Sequence, residues 1–216
     1  MHKQEQLKGL YAITRPHPEG FDALLKQVAD ALIGGTRIVQ YRDKQPGGVR
    51  RKSEGAALLA LCHEHDALLI INDDADLARA IGADGVHVGK QDGDIASVRA
   101  TVGSDAVIGI SCYNRLALAA AAQNAGADYV AFGRFFPSLT KPDAVQADIE
   151  LLGEAKRNLR IPVVAIGGIT PENGATLIQA GADMLAVING IFGAPDIAAR
   201  CRRFKQLFDS SERPPS

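Results

Sequence analysis

Three alternating polar side chains lie at and just beyond the end of a predicted strand at residues 36–41. Gln40, Arg42 and Lys44 occupy every second position there. Residues at alternate positions of an extended segment point the same way, so one amide and two cations share a face. Such a set suits an anionic group. The end of a solvated strand would use the same residue types, so the pattern alone leaves both interpretations open.

Acidic residues follow the next two apolar runs. Asn72 and Asp73 come directly after residues 68–71, and Asp92 stands just beyond residues 85–88. If these runs are neighbouring parallel strands, about 4.8 Å apart, both carboxylates emerge at one edge of the sheet. Two carboxylates placed in this way could hold a hard cation such as Mg²⁺.

Helix capping is the competing interpretation of the same acids. Asp73 or Asp74 could cap a helix at residues 75–81, and Asp92 or Asp94 could cap the next helix. Capping explains most acids at such junctions. The metal interpretation therefore depends on what the rest of the chain places nearby.

Glycines at two later strand ends indicate a second anion site. Gly167 and Gly168 follow the seventh predicted strand, and Ile188, Asn189 and Gly190 end the eighth. Backbone N–H groups at these two positions of a barrel frequently hold a phosphate. Ordinary glycine turns are the alternative. Because two consecutive strands show the feature, phosphate is favoured.

The elements that must position these residues alternate strictly. Alternation of strands with helices demands parallel crossover units, and eight such units close a barrel. A doubly wound open sheet is the alternative, but no glycine-rich nucleotide fingerprint is present. We predict an α/β fold, a single (β/α)₈ barrel domain over residues 1–209 with a disordered tail at 210–216. The strands are predicted at residues 10–14, 36–41, 68–71, 85–88, 107–111, 129–133, 163–166 and 184–188.

Two further sequence features bear on the barrel. A Gly-Ala-Asp triplet recurs at residues 82–84, 126–128 and 181–183, each time before a strand. We interpret it as structural, since Gly ends a helix and the next two residues lead into the strand. The connection after strand six, residues 134–147, is longer than usual and is typical of a lid or binding loop.

The totals exclude several classes of protein. The chain has 216 residues, with 24 basic and 25 acidic side chains. This balance points to neither nucleic acid nor an anionic membrane, and no apolar run suggests a membrane span. Three widely spaced cysteines argue against a disulfide framework, so a reduced cytoplasm is expected. The expected partners are small-molecule substrates; the oligomeric state is not predicted.

The motifs in combination resemble the thiamine phosphate synthase family along nearly the whole chain. The resemblance rests on Gln-Tyr-Arg-Asp-Lys at residues 40–44, Ile-Asn-Asp at 71–73 and Gly-Val-His-Val-Gly at 85–89 with Asp92. Thr-Lys-Pro at 140–142 and Ile-Gly-Gly-Ile at 166–169 complete it. The order of these pieces is specific, whereas any one of them alone is not.

The resemblance implies that a pyrimidine diphosphate and a thiazole phosphate combine to give thiamine phosphate and pyrophosphate, with Mg²⁺ as cofactor. It assigns Mg²⁺ to Asp73 and Asp92. It assigns the acceptor phosphate to Ser138, Leu139, Thr140, Gly168, Ile188 and Asn189. It assigns the pyrimidine diphosphate to Gln40, Tyr41, Arg42, Asp43, Lys44, Asn72, Ser111 and Lys141, of which Arg42, Lys44, Ser111 and Lys141 are the expected catalytic residues.

Three positions depart from the family pattern. Gly133-Arg134 stands where the family has Gly-Pro, Ser138 replaces Thr, and Asn189 replaces Ser. The last two changes keep a polar side chain, and Arg134 adds a cation at the mouth. Two alternatives remain, a thiazole tautomerase or phosphosugar isomerase that uses the same phosphate cradle, and a non-catalytic binder of thiamine phosphates.

Overall fold

Eight parallel strands close into a barrel in which each strand pairs with the next and β8 pairs with β1. The computed structural model describes residues 3–89, 94–137 and 145–211. The strands are β1 Gly9–Ile13, β2 Ile38–Tyr41, β3 Leu68–Asn72, β4 Gly85–Val88, β5 Val107–Tyr113, β6 Tyr129–Phe132, β7 Val163–Ile166 and β8 Met184–Val187. The predicted (β/α)₈ barrel is therefore confirmed.

Helices connect the strands along the outside of the barrel. They are α1 Phe21–Ile33, α2 Gly48–Glu64, α3 Ala75–Ile81, α4 Ile95–Val102, α5 Leu116–Asn124, α6 Glu150–Asn158, α7 Gly174–Gln179, α8 Asn189–Phe192 and α9 Ile197–Ser211. The four-residue α8 was not predicted, and α9 extends two residues into the predicted tail. Within the described residues, no helix is both long and apolar enough to span a membrane.

Strand alternation divides the apolar side chains into two cores. The outward core lies between the strands and the helices and includes Val39, Tyr41 and Ile71. The inward core fills the barrel and includes Ile38 and Ile70. Because successive strand residues point to opposite faces, the inward set continues upward into polar residues, which form the floor of the barrel mouth.

The repeated Gly-Ala-Asp triplets tie the amino-terminal ends of the strands together. Asp84 accepts a hydrogen bond from the Leu69 N–H at 2.9 Å, and its own N–H donates to the Leu69 carbonyl. Asp128 binds the Ile108 N–H and Asp183 the Val163 N–H, each at 2.8 Å. Each carboxylate also contacts a cationic side chain, respectively Lys3, Arg99 and Lys156. The structural interpretation of the triplets agrees with this geometry.

We predict that Asp84→Ala destabilises the fold by about 2 kcal/mol, because the buried Leu69 N–H loses its acceptor. The matched control is Asp105→Ala, an exposed carboxylate bonded to the neighbouring Ser104 hydroxyl. It should change stability by less than about 0.5 kcal/mol. Urea denaturation of both variants measures the difference. Equal stability of the two would show that the triplet carboxylates do not hold the strands.

Candidate active site

A cavity of about 530 Å³ opens at the carboxyl ends of the strands, where barrels of this kind carry their active sites. Its polar lining comes from several different strands. The described polar residues on its wall are Tyr11, Gln40, Arg42, Asn72, His87, Ser111, Tyr113, Arg134, Thr170, Asn189 and Arg200. The structure thus brings together predicted residues from β2, β3, β5 and the segment after β8.

The charge of this wall has one sign. Arg42, Arg134 and Arg200 line the cavity, and no carboxylate does so among the described residues. Guanidinium groups on one wall raise the local concentration of anions and suit phosphate oxygens, which accept from both donors of the guanidinium fork. The cavity is therefore built for an anionic ligand.

The side of the cavity at β2 follows the predicted alternation. Gln40 is buried and points inward, and Arg42 continues on the same face. The Arg42 N–H donates to the buried Thr14 hydroxyl at 2.9 Å, which fixes the backbone where β2 ends. Lys44 lies farther out, with its Nζ 3.9 Å from Asp73 Oδ2.

Two residues predicted to hold the diphosphate point elsewhere. Tyr41 lies on the outward face of β2, and its hydroxyl donates to Glu54 on α2. Asp43 pairs with Arg50 and accepts from the Gln45 N–H at 2.9 Å. Neither side chain lines the cavity. The alternation that turns Gln40 inward also turns Tyr41 outward, so the structure does not bring these two residues into the site.

These side chains instead form a cluster that holds the loop after β2. Arg50 Nη1 lies 2.8 Å from Glu54 Oε2, and His17 Nε2 lies 3.6 Å from the same oxygen. Burial alone would raise the pKa of Asp43, but the Gln45 N–H and the Arg50 guanidinium outweigh burial and hold that pKa below its usual value. The loop that carries Arg42 and Lys44 is thus tied to α2.

The acids after β3 and before α4 have separate positions. Asp74 caps α3 by accepting from the Leu77 N–H, and Asp94 caps α4 by accepting from the Ser97 N–H. Asp73 makes neither cap; its Oδ2 lies 2.5 Å from the Asn72 amide nitrogen, at the mouth. Asp92 lies outside the described residues.

The donor set at this edge fits Mg²⁺ in part. Across residues 3–89, 94–137 and 145–211, no three His, Cys, Asp or Glu side chains gather as a metal site. Mg²⁺ commonly takes only one or two carboxylates and completes its shell with phosphate oxygens and water. Asp73, with a side chain 36% exposed, has the chemistry of one such ligand.

The opposite side of the cavity presents backbone amides. Gly167 and Gly168 follow β7, and α8 begins at Asn189 immediately after Ile188. The N–H groups of Gly168 and Gly190 donate to no acceptor among the described residues. A short extra helix after β8 is the usual companion of a phosphate site in barrels. The predicted residues Gly168, Ile188 and Asn189 thus lie together.

Besides presenting its N–H group to the cavity, Gly168 packs closely against the loop that follows β6. Its φ is +63°, and an added Cβ would lie 2.3 Å from the Pro137 carbonyl oxygen. The loop after β6 therefore packs directly on the cradle. Arg134 anchors the same loop, since its N–H donates to the Val145 carbonyl and its carbonyl accepts from the Ala147 N–H. The predicted residues Ser138, Leu139, Thr140 and Lys141 lie outside the described part of the chain.

A series of five hydrogen-bonded side chains crosses the barrel beneath the cavity. Gln40 Nε2 donates to Tyr11 Oη at 2.7 Å, and Tyr11 Oη lies 2.9 Å from Tyr129 Oη. Tyr129 Oη lies 3.0 Å from His87 Nδ1, and His87 Nε2 lies 2.8 Å from Ser111 Oγ. We call these five residues the cross-barrel chain. It joins the two predicted substrate residues Gln40 and Ser111.

Ser111 and His87 have the distance of a nucleophile and its base. In hydrolytic triads a buried carboxylate stabilises the histidine when it becomes charged. Here the third residue is Tyr129, and burial raises its pKa well above the usual value. A neutral phenol offers no such stabilisation. The pair therefore suits ligand positioning better than nucleophilic attack.

Sequence analysis did not identify Tyr11, Tyr129, Thr14 or Glu54 as parts of the site. One signal existed, a glycine inside β5. A Cβ at Gly109 would lie 1.9 Å from the Tyr129 ring carbon Cζ, so only glycine lets this ring cross the barrel. Glycine within a strand often marks such a close approach.

A (β/α)₈ barrel with arginines lining a cavity at its carboxyl face has the architecture of enzymes that bind phosphorylated substrates. Residues 10–191 match the model of a family described as thiamine monophosphate synthase. The chain belongs to this family. The predicted resemblance is confirmed over nearly the same residues.

Relatives of known name agree with this assignment. The thiamine-phosphate synthase of Nitrosococcus oceani is 52% identical over 208 residues, 96% of each chain. That of Thioalkalivibrio sulfidiphilus is 51% identical over 205 residues, 95% of this chain and 97% of the relative. The solved thiamine phosphate pyrophosphorylase of Pyrococcus furiosus has a TM-score of 0.88 at 32% identity, covering 98% of this chain and 100% of that one. The predicted enzyme class is therefore confirmed.

We predict that Gly168→Ala destabilises the protein more than Gly126→Ala does. Both glycines have positive φ, +63° and +94°, but a Cβ at Gly126 meets nothing within 4 Å. Gly126→Ala should cost about 1 kcal/mol of backbone strain, and Gly168→Ala about 1–3 kcal/mol more because the loop after β6 is displaced. Urea denaturation of both variants measures this. Equal losses would contradict the packing of the loop on the cradle.

Proposed function

We propose that this chain transfers the 4-amino-2-methylpyrimidin-5-ylmethyl group from its diphosphate to a 4-methyl-5-(2-phosphoethyl)thiazole, giving thiamine phosphate and pyrophosphate. The proposal rests on the cavity wall, which carries three arginines and, among the described residues, no carboxylate. The arginines are divided between the two sides of the cavity. Both substrates are phosphorylated, and each side offers a different kind of donor. Family membership supplies the identity of the reaction.

The donor substrate occupies the side formed by β2 and β3 in this proposal. Arg42, Lys44 and Ser111 contact the diphosphate, while Gln40 and Asn72 orient the pyrimidine. Lys141, which lies outside the described residues, completes the predicted set. Cations aimed at oxygens that gain charge as the bond breaks stabilise the transition state more than the ground state.

The acceptor substrate occupies the opposite side. Its phosphate lies on the amides of Gly168 and Gly190, with Ile188 and Asn189 beside it, and Arg134 and Arg200 supply positive charge. This arrangement points the thiazole ring toward the centre of the mouth. Holding both rings in one orientation replaces a bimolecular encounter by a positioned reaction.

The bond changes balance without a protein nucleophile. The bond from the methylene carbon to the diphosphate oxygen breaks, and the electron pair leaves with pyrophosphate. The pyrimidine-methyl cation then accepts the lone pair of the thiazole nitrogen, which forms the new carbon–nitrogen bond. A Mg²⁺ ion held by Asp73 and Asp92 would neutralise part of the diphosphate charge. Arg42 and Lys44 share that task from the protein side.

Pyrophosphate release tests the proposal directly. We expect release only when the pyrimidine diphosphate, the thiazole phosphate and Mg²⁺ are all present, and loss of release on chelation. Release without the thiazole phosphate would indicate hydrolysis and overturn the transfer. Binding of the thiazole phosphate without release would instead favour a tautomerase-like enzyme or a non-catalytic binder.

We predict that Arg42→Ala lowers kcat/KM by about 100-fold, because a charge-assisted hydrogen bond to the leaving diphosphate is lost. Arg37→Ala is the matched control, since this exposed arginine precedes the other end of β2. It should leave kcat/KM unchanged, because the amino-terminal face of a barrel carries stability and not chemistry. Steady-state kinetics compares the two. A near-normal Arg42→Ala enzyme would remove Arg42 from the proposed site.

A further inference from the structure

The hydrogen bonds of the cross-barrel chain all run in one direction, because each of its hydroxyl groups has a single proton to donate. Burial raises the pKa of both phenols, Tyr11 and Tyr129, so both keep that proton. Gln40 Nε2 donates to Tyr11 Oη, which leaves the Tyr11 proton for Tyr129. The Tyr129 proton then goes to His87 Nδ1. The direction set at Gln40 is thus transmitted to the histidine.

The state of His87 follows from this direction. A ring nitrogen that accepts a proton donor carries no proton itself, so the imidazole proton resides on Nε2. His87 Nε2 lies 2.8 Å from Ser111 Oγ and donates to it. The Ser111 oxygen is then used as an acceptor, and its own proton remains for a partner in the cavity.

We propose that the cross-barrel chain holds His87 as the Nε2–H tautomer and thereby keeps the Ser111 hydroxyl as a donor toward the bound pyrimidine diphosphate. Tyr129 and Tyr11 are positioning residues in this scheme, since they act on the ligand through others. The identity of the ligand rests on the proposed function. The tautomer of His87 and the direction of the hydrogen bonds in the cross-barrel chain do not depend on the proposed function.

The opposite direction is the physical alternative. Ser111 would then donate to His87 Nε2, and the chain would end on an acceptor at Gln40. The Gln40 atom at Tyr11 is its amide nitrogen, which cannot accept. The opposite direction would also turn a lone pair of Ser111 toward the diphosphate oxygens, which themselves are acceptors. A donor fits that ligand and an acceptor does not.

Phenylalanine substitutions separate this role from packing. The Tyr11 and Tyr129 rings meet edge to face at 6.0 Å, and the His87 and Tyr129 rings stack at 5.6 Å. Phe keeps each ring and removes one hydroxyl. The two tyrosines are both fully buried, so Tyr11→Phe and Tyr129→Phe are matched substitutions at successive positions of the cross-barrel chain.

Nitrogen-15 NMR of the wild-type, ligand-free protein gives the first test. In a neutral imidazole the protonated nitrogen resonates far upfield of the unprotonated one, so the tautomer is read directly. Loss of signals in His87→Gln assigns them. We expect the proton on Nε2. A proton on Nδ1, or on both nitrogens, would overturn the proposal whatever reaction the enzyme catalyses.

The same spectra of the variants test the direction. Tyr129→Phe should give a mixture of tautomers, because Nδ1 loses its donor. Tyr11→Phe should admit a smaller fraction of the Nδ1–H tautomer, because Tyr129 keeps its hydroxyl but loses the donor that fixes its direction. An unchanged tautomer in Tyr11→Phe would show that Gln40 does not set the direction through Tyr11 and would overturn that part of the proposal.

Binding of the pyrimidine diphosphate with Mg²⁺, measured by calorimetry, tests the link to Ser111. We expect Ser111→Ala to weaken binding about tenfold, since it removes a hydrogen bond to a charged ligand. Tyr129→Phe should weaken binding about twofold, because the ligand must select the Nε2–H form from a mixture of tautomers. The double variant should bind no more weakly than Ser111→Ala alone. A further twofold loss in the double variant would show that Tyr129 does not act through Ser111. Failure of the wild type to bind would reject the proposed substrate and leave the NMR result standing.

Discussion

Closure of the sheet is the constraint on which the rest of this structure depends. Once eight parallel strands form a ring, every second side chain of every strand must face the interior. On β2, Ile38 and Gln40 face the interior of the barrel, whereas Val39 and Tyr41 face the surrounding helices. A polar residue that closure turns inward must then find a partner within the barrel, because an unpaired buried group costs about 1–3 kcal/mol.

The interior meets this demand with its own side chains. Tyr11 and Tyr129 are 118 residues apart, yet their hydroxyls lie 2.9 Å from each other. Because both phenols extend from nearly opposite sides of the ring of strands, a single pair of hydroxyls connects them. The polar layer beneath the cavity is thus a consequence of the fold, and the orientation of Gln40 and Ser111 follows from it.

Much of the site could be predicted from sequence because it depends on local rules. Strand ends, alternation and the glycines after β7 predicted a site that includes Gln40, Arg42, Asn72 and Gly168, and the structure has all four on the cavity wall. Tyr41 was assigned through the family motif, although alternation alone would have turned it outward. The partners of the cross-barrel chain could not be predicted, since their pairing depends on residues distant in sequence. Helix α8 was missed because four residues show no helical periodicity.

The acids of this chain show how partners decide the role of a residue type. Asp84, Asp128 and Asp183 hold strand amides at one face of the barrel, whereas Asp74 and Asp94 cap helices. Asp73 differs from these five, since its backbone has a φ of +61° and its side chain lies at the mouth beside Lys44. A non-glycine residue in this region is uncommon, although Asp adopts it more readily than most. Such conformations concentrate at functional sites, where the surrounding structure stabilises them. The left-handed turn places the Asp73 carboxylate at the mouth beside Lys44, where the proposed reaction needs a ligand for a divalent cation, whereas Asp74 caps α3.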